Sequence, residues 1–455
     1  MRTWTRRLEL LFAIAAATAL VVALWLPKRP EVPNLLLVTL DTTRADHLGP
    51  YGYLRDTTPA LDALAARSTV YTAAWAPMAT TLPSHTSLMT GVWPLEHGVL
   101  ANVQHGGRRT LPSDRLVPVA ELFRAAGYLT AAFVSATPLK SGTGIERGFA
   151  TFDQSDRNVR HARHTTDAAI AWLERYGRSP FFAWVHYYDA HGPFAPPPAY
   201  ATFTADDRLR AWMDERRIPT VASRSGGAEL DPIPAHDGYD GELAYVDDQL
   251  GRLLAAVAQR GVADRTVVVV VGDHGEGLGQ HQVAGHGHVW REQLQVPLVV
   301  HVPWRSGGER VDAPIAMVDV MPTVLAELDR SLYDRFVTVA SGRAVGTRGS
   351  IGPSLGLSSL RQEALGTEQS SLTVGGWRYL DVDGTDRLYD LTTDPHELAD
   401  LGDLLPVHRA VLARWATAVA DAQRARGAAL GTGGTTEVPP AELERLERLG
   451  YLDEE

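Results

Sequence analysis

Two stretches of the chain are apolar almost without interruption and end on an aspartate. In "NLLLVTLD" the run Asn34–Leu40 stops at Asp41, and in "RTVVVVVGD" a valine run stops at Asp273. Continuous apolar runs that lack the alternation of a half-exposed strand predict strands covered on both faces, as in a parallel sheet flanked by helices. Between them, apolar positions recur at helical spacing in "PALDALAAR", "LVPVAELFRAAGY", "TTDAAIAWLERYG" and "AYVDDQLGRLLAAVAQRG", the last two closed by glycine. Strands alternating with helices predict an α/β fold on a large, mostly parallel sheet. Ligands of such sheets bind beyond the carboxyl ends of strands, where Asp41 and Asp273 fall.

From about residue 371 the pattern changes. "SLTVGGWRYLDVDGTDRLYDL" alternates polar and apolar positions and predicts a small antiparallel sheet; "PVHRAVLARWATAVADAQRA" then predicts a helix. "GAALGTGGTTEVPP" reads as a linker and "AELERLERLGYL" as a last short helix. At the other end, residues 10–26 form an uncharged apolar run behind "MRTWTRR". No small-x-small cleavage site precedes "PKRP", so an uncleaved membrane anchor is the first reading and a cleaved signal the alternative. Arg2, Arg6 and Arg7 outweigh Lys28 and Arg29, which predicts a membrane-anchored protein with its bulk on the extracytoplasmic (periplasmic or extracellular) side.

Composition narrows the chemistry. With 45% hydrophobic and 21% charged residues the chain is ordinary globular material, and its net charge of −11, with no basic stripe, excludes nucleic acid as a partner. There are no cysteines, which excludes disulfides, Cys-ligated zinc and thiolate nucleophiles. The remaining candidate is a metal site. Asp273 is followed at once by His274, and carboxylate oxygens with an imidazole nitrogen suit a divalent ion. If the sheet brings Asp41 beside them, three ligands converge. Thr81, at the start of the helix expected from "TTLPSHTSLMTG", then offers its hydroxyl as a fourth ligand and as an activated nucleophile.

The chain resembles the sulfatases of the alkaline phosphatase superfamily. The resemblance rests on "DTTRADHLGPYGY", "TTLPSHTSLMTGVWPLEHGVLAN", "HYYDAHGPFAPP", "DGYDGELAYVDDQLG", "VGDHGEGLGQHQVAGHGHVWREQLQVPLVVHVP" and "RLYDLTTDPHE", six landmarks in the family's order. It implies an alkaline-phosphatase-like fold with a small C-terminal α+β subdomain that closes one wall of the pocket. The implied division is an anchor or signal segment over 1–30, a catalytic domain over 31–345, the C-terminal subdomain over 346–430, and a linker with a terminal helix over 431–455. The family signature, C-x-P-S-R followed by x-x-L-x-T-G, turns its Cys or Ser into formylglycine. Here "TLPSHTSLMTG" puts Thr81 at that position, so no formylglycine is expected.

The family expels sulfate by breaking a carbon–oxygen bond of an aldehyde hydrate, for which threonine has no second hydroxyl. A phosphorylated Thr81, by contrast, is released by attack at phosphorus. The expected activity is therefore hydrolysis of phosphate or phosphonate esters. Sulfuric ester hydrolysis, phospho-group transfer and a catalytically silent family member are the alternatives, and a small-molecule, lipid or glycan ester is the expected substrate. The resemblance implies Asp41, Asp273, His274 and Thr81 as metal ligands, with the contact at Thr42 weak or lost, and Arg44 as a residue orienting Asp41 or a surface ion pair. It implies His191 as the proton donor to the leaving group, Asn102 as a donor to a substrate oxygen or a turn cap, and His286 as a weak, pH-dependent cation in place of a lysine. His85 stands where the family has the arginine that buttresses the nucleophile, while His281 and His288 carry no assigned role. Asp189 and His191 are one residue apart, unlike the ligand pair of two-metal relatives, so one ion is expected; manganese, zinc and calcium all remain open.

Overall fold

The computed structural model describes residues 30, 32–104, 106–155, 159–219, 222–224, 229–345, 354–357, 369–382, 384–431 and 433–448. Its main sheet contains β1 (Asn34–Leu40), β2 (Thr69–Trp75), β3 (Leu129–Val134), β4 (Thr151–Gln154), β5 (Phe181–Tyr187), β6 (Thr266–Gly272), β7 (Gln295–His301) and β8 (Glu309–Val311). The strand order is β8-β2-β7-β6-β1-β5-β3-β4, with the short strand Ile315–Ala316 also on β2. β1 lies at the centre, parallel to β5 and β6. The sheet is mostly parallel, and β7 runs antiparallel to both its neighbours.

Every residue of β1, β5 and β6 is buried, because successive side chains enter two different cores. Leu35, Leu37, Phe182, Trp184, Val269 and Val271 face one core, into which the helices α1 (Thr81–Thr90) and α4 (Val320–Leu328) pack. Leu36, Val38, Ala183, Val185, Val268 and Val270 face the other, covered by α2 (Ala162–Tyr176) and α3 (Pro232–Gln259). Each fully buried aliphatic side chain contributes about 1.5–3 kcal/mol relative to exposure. This two-sided burial holds the strand ends, and any group mounted on them, in place.

Towards the C-terminus, strands Ser354–Leu357, Ser370–Val374, Trp377–Val382 and Thr385–Asp390 form an antiparallel sheet. Leu372, Tyr379 and Leu388 of this sheet pack on Leu412 and Ala416 of α5 (Pro406–Leu430). The segment expected to be a linker is packed structure. Thr435–Glu437 pairs antiparallel with Arg108–Thr110, and a Cβ on Gly433 would lie 1.9 Å from the Leu111 carbonyl. Val438 and Leu446 then bury against Val103.

The expectation of membrane anchoring, and of the extracytoplasmic placement that followed from it, is corrected. Among the described residues no helix is long and apolar enough to cross a membrane. The run 10–26 on which that expectation rested lies outside the described residues.

Candidate active site

Asp41 and Asp273 stand side by side because β1 and β6 end in register, Leu40 opposite Gly272. The ladder continues past the strands: the Asp41 N–H donates to the Tyr187 carbonyl at 2.9 Å, and the Asp273 N–H to the Leu40 carbonyl at 3.2 Å. Thr42 follows at φ 48°, a left-handed conformation that β-branched residues seldom adopt. That turn aims its N–H at Asp273 Oδ1 (3.2 Å), and its carbonyl accepts the Tyr239 hydroxyl (2.8 Å). Thr42 Oγ1 is buried without a hydrogen-bond partner.

After Asp273 the chain folds back so tightly that a Cβ on Gly275 would sit 2.0 Å from the Glu292 carbonyl. The bend brings the Gly275 carbonyl 2.9 Å from His274 Nδ1, which donates to it. His274 Nε2 is left bare, 3.6 Å from both Asp41 Oδ1 and Asp273 Oδ2.

Helix α1 begins at Thr81, and all ten of its residues are buried. Its first turn is tied to the strand ends: Ser84 Oγ donates to the Asp273 carbonyl (2.6 Å), and Asn102 Oδ1 accepts the Leu82 N–H (2.8 Å). Asn102 thus satisfies one of the N–H groups that a helix start leaves open. These ties set Thr81 Oγ1 3.4 Å from His274 Nε2, at the positive end of the helix.

The ligand atoms of Asp41, Asp273 and His274 lie within 4.8 Å of one another, and all three residues are buried. Both oxygens of Asp41 and Oδ2 of Asp273 lack a hydrogen-bond partner. Burial raises the Asp41 carboxyl to about 7, against the lowering effect of His191. Asp273 is pushed well up by burial and by the Asp41 charge. Two dry carboxylates with unused oxygens and a bare imidazole nitrogen call for a cation, and this oxygen-rich donor set fits a divalent metal ion.

Across the site, His191 Nε2 lies 3.1 Å from His286 Nε2. His286 Nδ1 donates to the Ala79 carbonyl (3.0 Å), so its Nε2 accepts; His191 Nδ1 donates to the Gly192 carbonyl (2.7 Å), so the hydrogen shared with His286 is the second hydrogen of an imidazolium, on His191 Nε2. His191 Nδ1 lies 2.9 Å from the Tyr188 hydroxyl, and the two rings stack. Burial lowers His286 to about 4, so it is neutral near pH 7 and acts as a hydrogen-bonding group instead of the expected cation.

His85 does not touch the Thr81 hydroxyl. Its Nδ1 donates to the Thr81 carbonyl at 2.8 Å and its Nε2 lies 3.1 Å from Thr39 Oγ1, so it holds the backbone beneath the hydroxyl. Arg44 is buried, bonded to Asp46, the Glu276 carbonyl and Gln280. It struts the two ligand loops together without reaching Asp41. His281 stacks on Trp290 and pairs with Glu292. His288 donates its N–H to Gln293. Asp189 caps the start of α2 through the Ala162 N–H (2.8 Å) and pairs with His161.

Sequence reasoning missed His186 and Thr39. Both are polar residues inside apolar strands, they are register partners across β1 and β5, and His186 Nε2 comes 3.4 Å from Asp41 Oδ2. A histidine in "FFAWVHY" opposite a threonine in "LLLVTL" was the available signal.

A sulfatase family model matches residues 33–329. Among curated proteins, a sulfatase from Formosa agariphila is 23% identical over 81% of this chain and 83% of its own. The uncharacterized sulfatase YidJ of Escherichia coli is 24% identical over 65% and 68%. Among solved structures, the phosphonate monoester hydrolase of Agrobacterium radiobacter superposes with a TM-score of 0.68 at 21% identity, covering 86% of this chain and 96% of its own.

Proposed function

The chain belongs to the sulfatase family, and from that premise we propose that it is a metal-dependent hydrolase of phosphate or phosphonate esters with Thr81 as its nucleophile. The observation that carries this reading is the setting of residue 81. It is a threonine at a helix start, with Oγ1 3.4 Å from His274 Nε2 beside two carboxylates with unused oxygens, in a chain without cysteine.

Asp41, Asp273 and His274 would hold a divalent ion, whose charge would let the Thr81 hydroxyl give its proton to solvent and rest as the alkoxide, the form to which it returns after each turnover. Thr81 Oγ1 forms a bond to phosphorus while the bond from phosphorus to the leaving oxygen breaks. The hydrogen on His191 Nε2 passes to that oxygen, and His286 keeps the imidazole turned toward it. In the second half, water gives a proton back to His191, attacks phosphorus and returns Oγ1 to threonine. A sulfated threonine has no equivalent exit by carbon–oxygen cleavage, because its Cβ bears a hydrogen and a methyl group where an aldehyde hydrate bears a second hydroxyl. The start of α1 beside the partly exposed His286 suits an anionic ester head on a small molecule, lipid or glycan.

The test is turnover by the purified protein, stripped of metal and reloaded with manganese, zinc or calcium, against aryl phosphates, phosphodiesters, phosphonates and sulfates. Phosphorus esters should be cleaved, and Thr81→Ala should reduce kcat by roughly 1000-fold or more. Sulfate turnover that depends on Thr81 would overturn the choice of phosphorus.

A further inference from the structure

The hydroxyl of Thr39 sits at a three-way junction beneath the site. Trp184 Nε1 lies 2.9 Å from it, His186 Nδ1 2.9 Å and His85 Nε2 3.1 Å. A hydroxyl has one hydrogen and two lone pairs, and an indole only donates, so Trp184 occupies one lone pair. His85 Nδ1 faces the Thr81 carbonyl at 2.8 Å, which only accepts, so Nδ1 carries the hydrogen. With that one hydrogen on Nδ1, the His85 ring presents a bare Nε2 to Thr39. The Thr39 hydrogen therefore points to His85, and the one remaining lone pair of Thr39 accepts from His186 Nδ1.

The consequence falls on the far side of the His186 ring. With its one hydrogen on Nδ1, donated to Thr39, the His186 ring presents a bare Nε2. That nitrogen lies 3.4 Å from Asp41 Oδ2, and neither atom has a hydrogen-bond partner. Two bare acceptors facing each other in a dry interior repel unless a cation lies against both. Asp41 thus presents one oxygen to His274 and the other to His186.

We propose that His186 belongs to the metal centre: its Nε2 is a further nitrogen donor toward the divalent ion on Asp41, and the chain Thr81 carbonyl–His85–Thr39–His186 fixes the tautomer that makes it one. The inference rests on the metal site proposed above and adds a donor to it from inside a core strand. It also gives His85 a use suited to its place. The same ring that holds the nucleophile's backbone sets the hydrogen on His186 through Thr39, so ligand and nucleophile are aligned by one hydrogen-bond chain.

Zinc and spin-active cadmium are the probes, used on the full-length, metal-free protein with nitrogen-labelled histidines. In the unmutated protein, cadmium should produce a scalar coupling to His186 Nε2, a readout independent of activity and of any variant's folding. By calorimetry, His186→Gln should weaken zinc binding by about 10- to 100-fold, Thr39→Val should weaken it in the same direction, and Asp273→Asn should abolish it. If Asp273→Asn abolishes binding while His186→Gln binds zinc as the unmutated chain does and no cadmium coupling appears at His186, a shared proton fills the edge between Asp41 and His186. That overturns this inference and leaves the metal centre standing. If the unmutated chain binds neither metal, both fall.

Discussion

His191 and His286 meet through their Nε2 atoms, and the direction of the hydrogen between them decides which ring is the acid. Because His286 Nδ1 already donates to the Ala79 carbonyl and His191 Nδ1 to the Gly192 carbonyl, the transferable proton is the one on Nε2 of the His191 imidazolium. A general acid matters in proportion to the basicity of the leaving group. His191→Ala is therefore expected to slow alkyl esters by about 100- to 10,000-fold and to leave nitrophenyl esters within about tenfold. Equal losses for both classes, measured as kcat, would assign His191 to binding instead of proton transfer. Asp41, Asp273 and His274 were legible in the sequence because two strand-end aspartates, each alone readable as a helix cap, occur together with a histidine directly after one of them, and the family's landmarks singled out the same three. His186 was not legible, since a histidine within "FFAWVHY" looks like a core residue until Thr39, its register partner from a strand almost 150 positions away, is seen beside it. The charge state of His286 was beyond the sequence for a related reason: its neutrality comes from burial, which no local pattern reports.

At the scale of elements, β1 and β6 declared themselves by apolar runs that only two covered faces explain. The direction of β7 did not, because strand pattern encodes which faces are buried and not which way the chain runs. The segment 427–440 was misread for an opposite reason. Glycine and threonine in succession have the composition of a linker, but here the small residues allow backbones to touch. Gly433→Val should accordingly cost about 1–3 kcal/mol in denaturant unfolding and open the chain beyond residue 430 to proteolysis, since the new Cβ would meet the Leu111 carbonyl. Gly434→Ala is the control, because nothing lies within 4 Å of a Cβ there. Equal stability of the two variants would mean that the pairing of Thr435–Glu437 with Arg108–Thr110 does not constrain the C-terminal segment.

The whole molecule makes the site, since Asp41, Thr81 and Asp273 come from separate parts of the chain and meet only when the central strands and α1 are docked. Docking them buries two carboxylates together, which is a cost of folding in the absence of a cation. Asp41 has a folded-state value of about 7, above the ordinary 3.8, so the native metal-free protein binds more protons than the unfolded chain between those limits. Stability associated with this group is full below about 3.8 and is lost as the pH rises through about 7. The loss amounts to about 4 kcal/mol. A bound divalent ion removes it by taking the place of the proton and adds its own binding free energy. The expected result is that chelation lowers the melting temperature far more at pH 8 than at pH 5, whereas Asp41→Asn makes the chelated protein's melting temperature fall less between pH 5 and pH 8 than that of the unmutated chain, the remainder coming from Asp273. A chelator effect of the same size at both pH values would mean that Asp41 is already ionised in the metal-free protein. The cation site would then be held open by other charges of the fold.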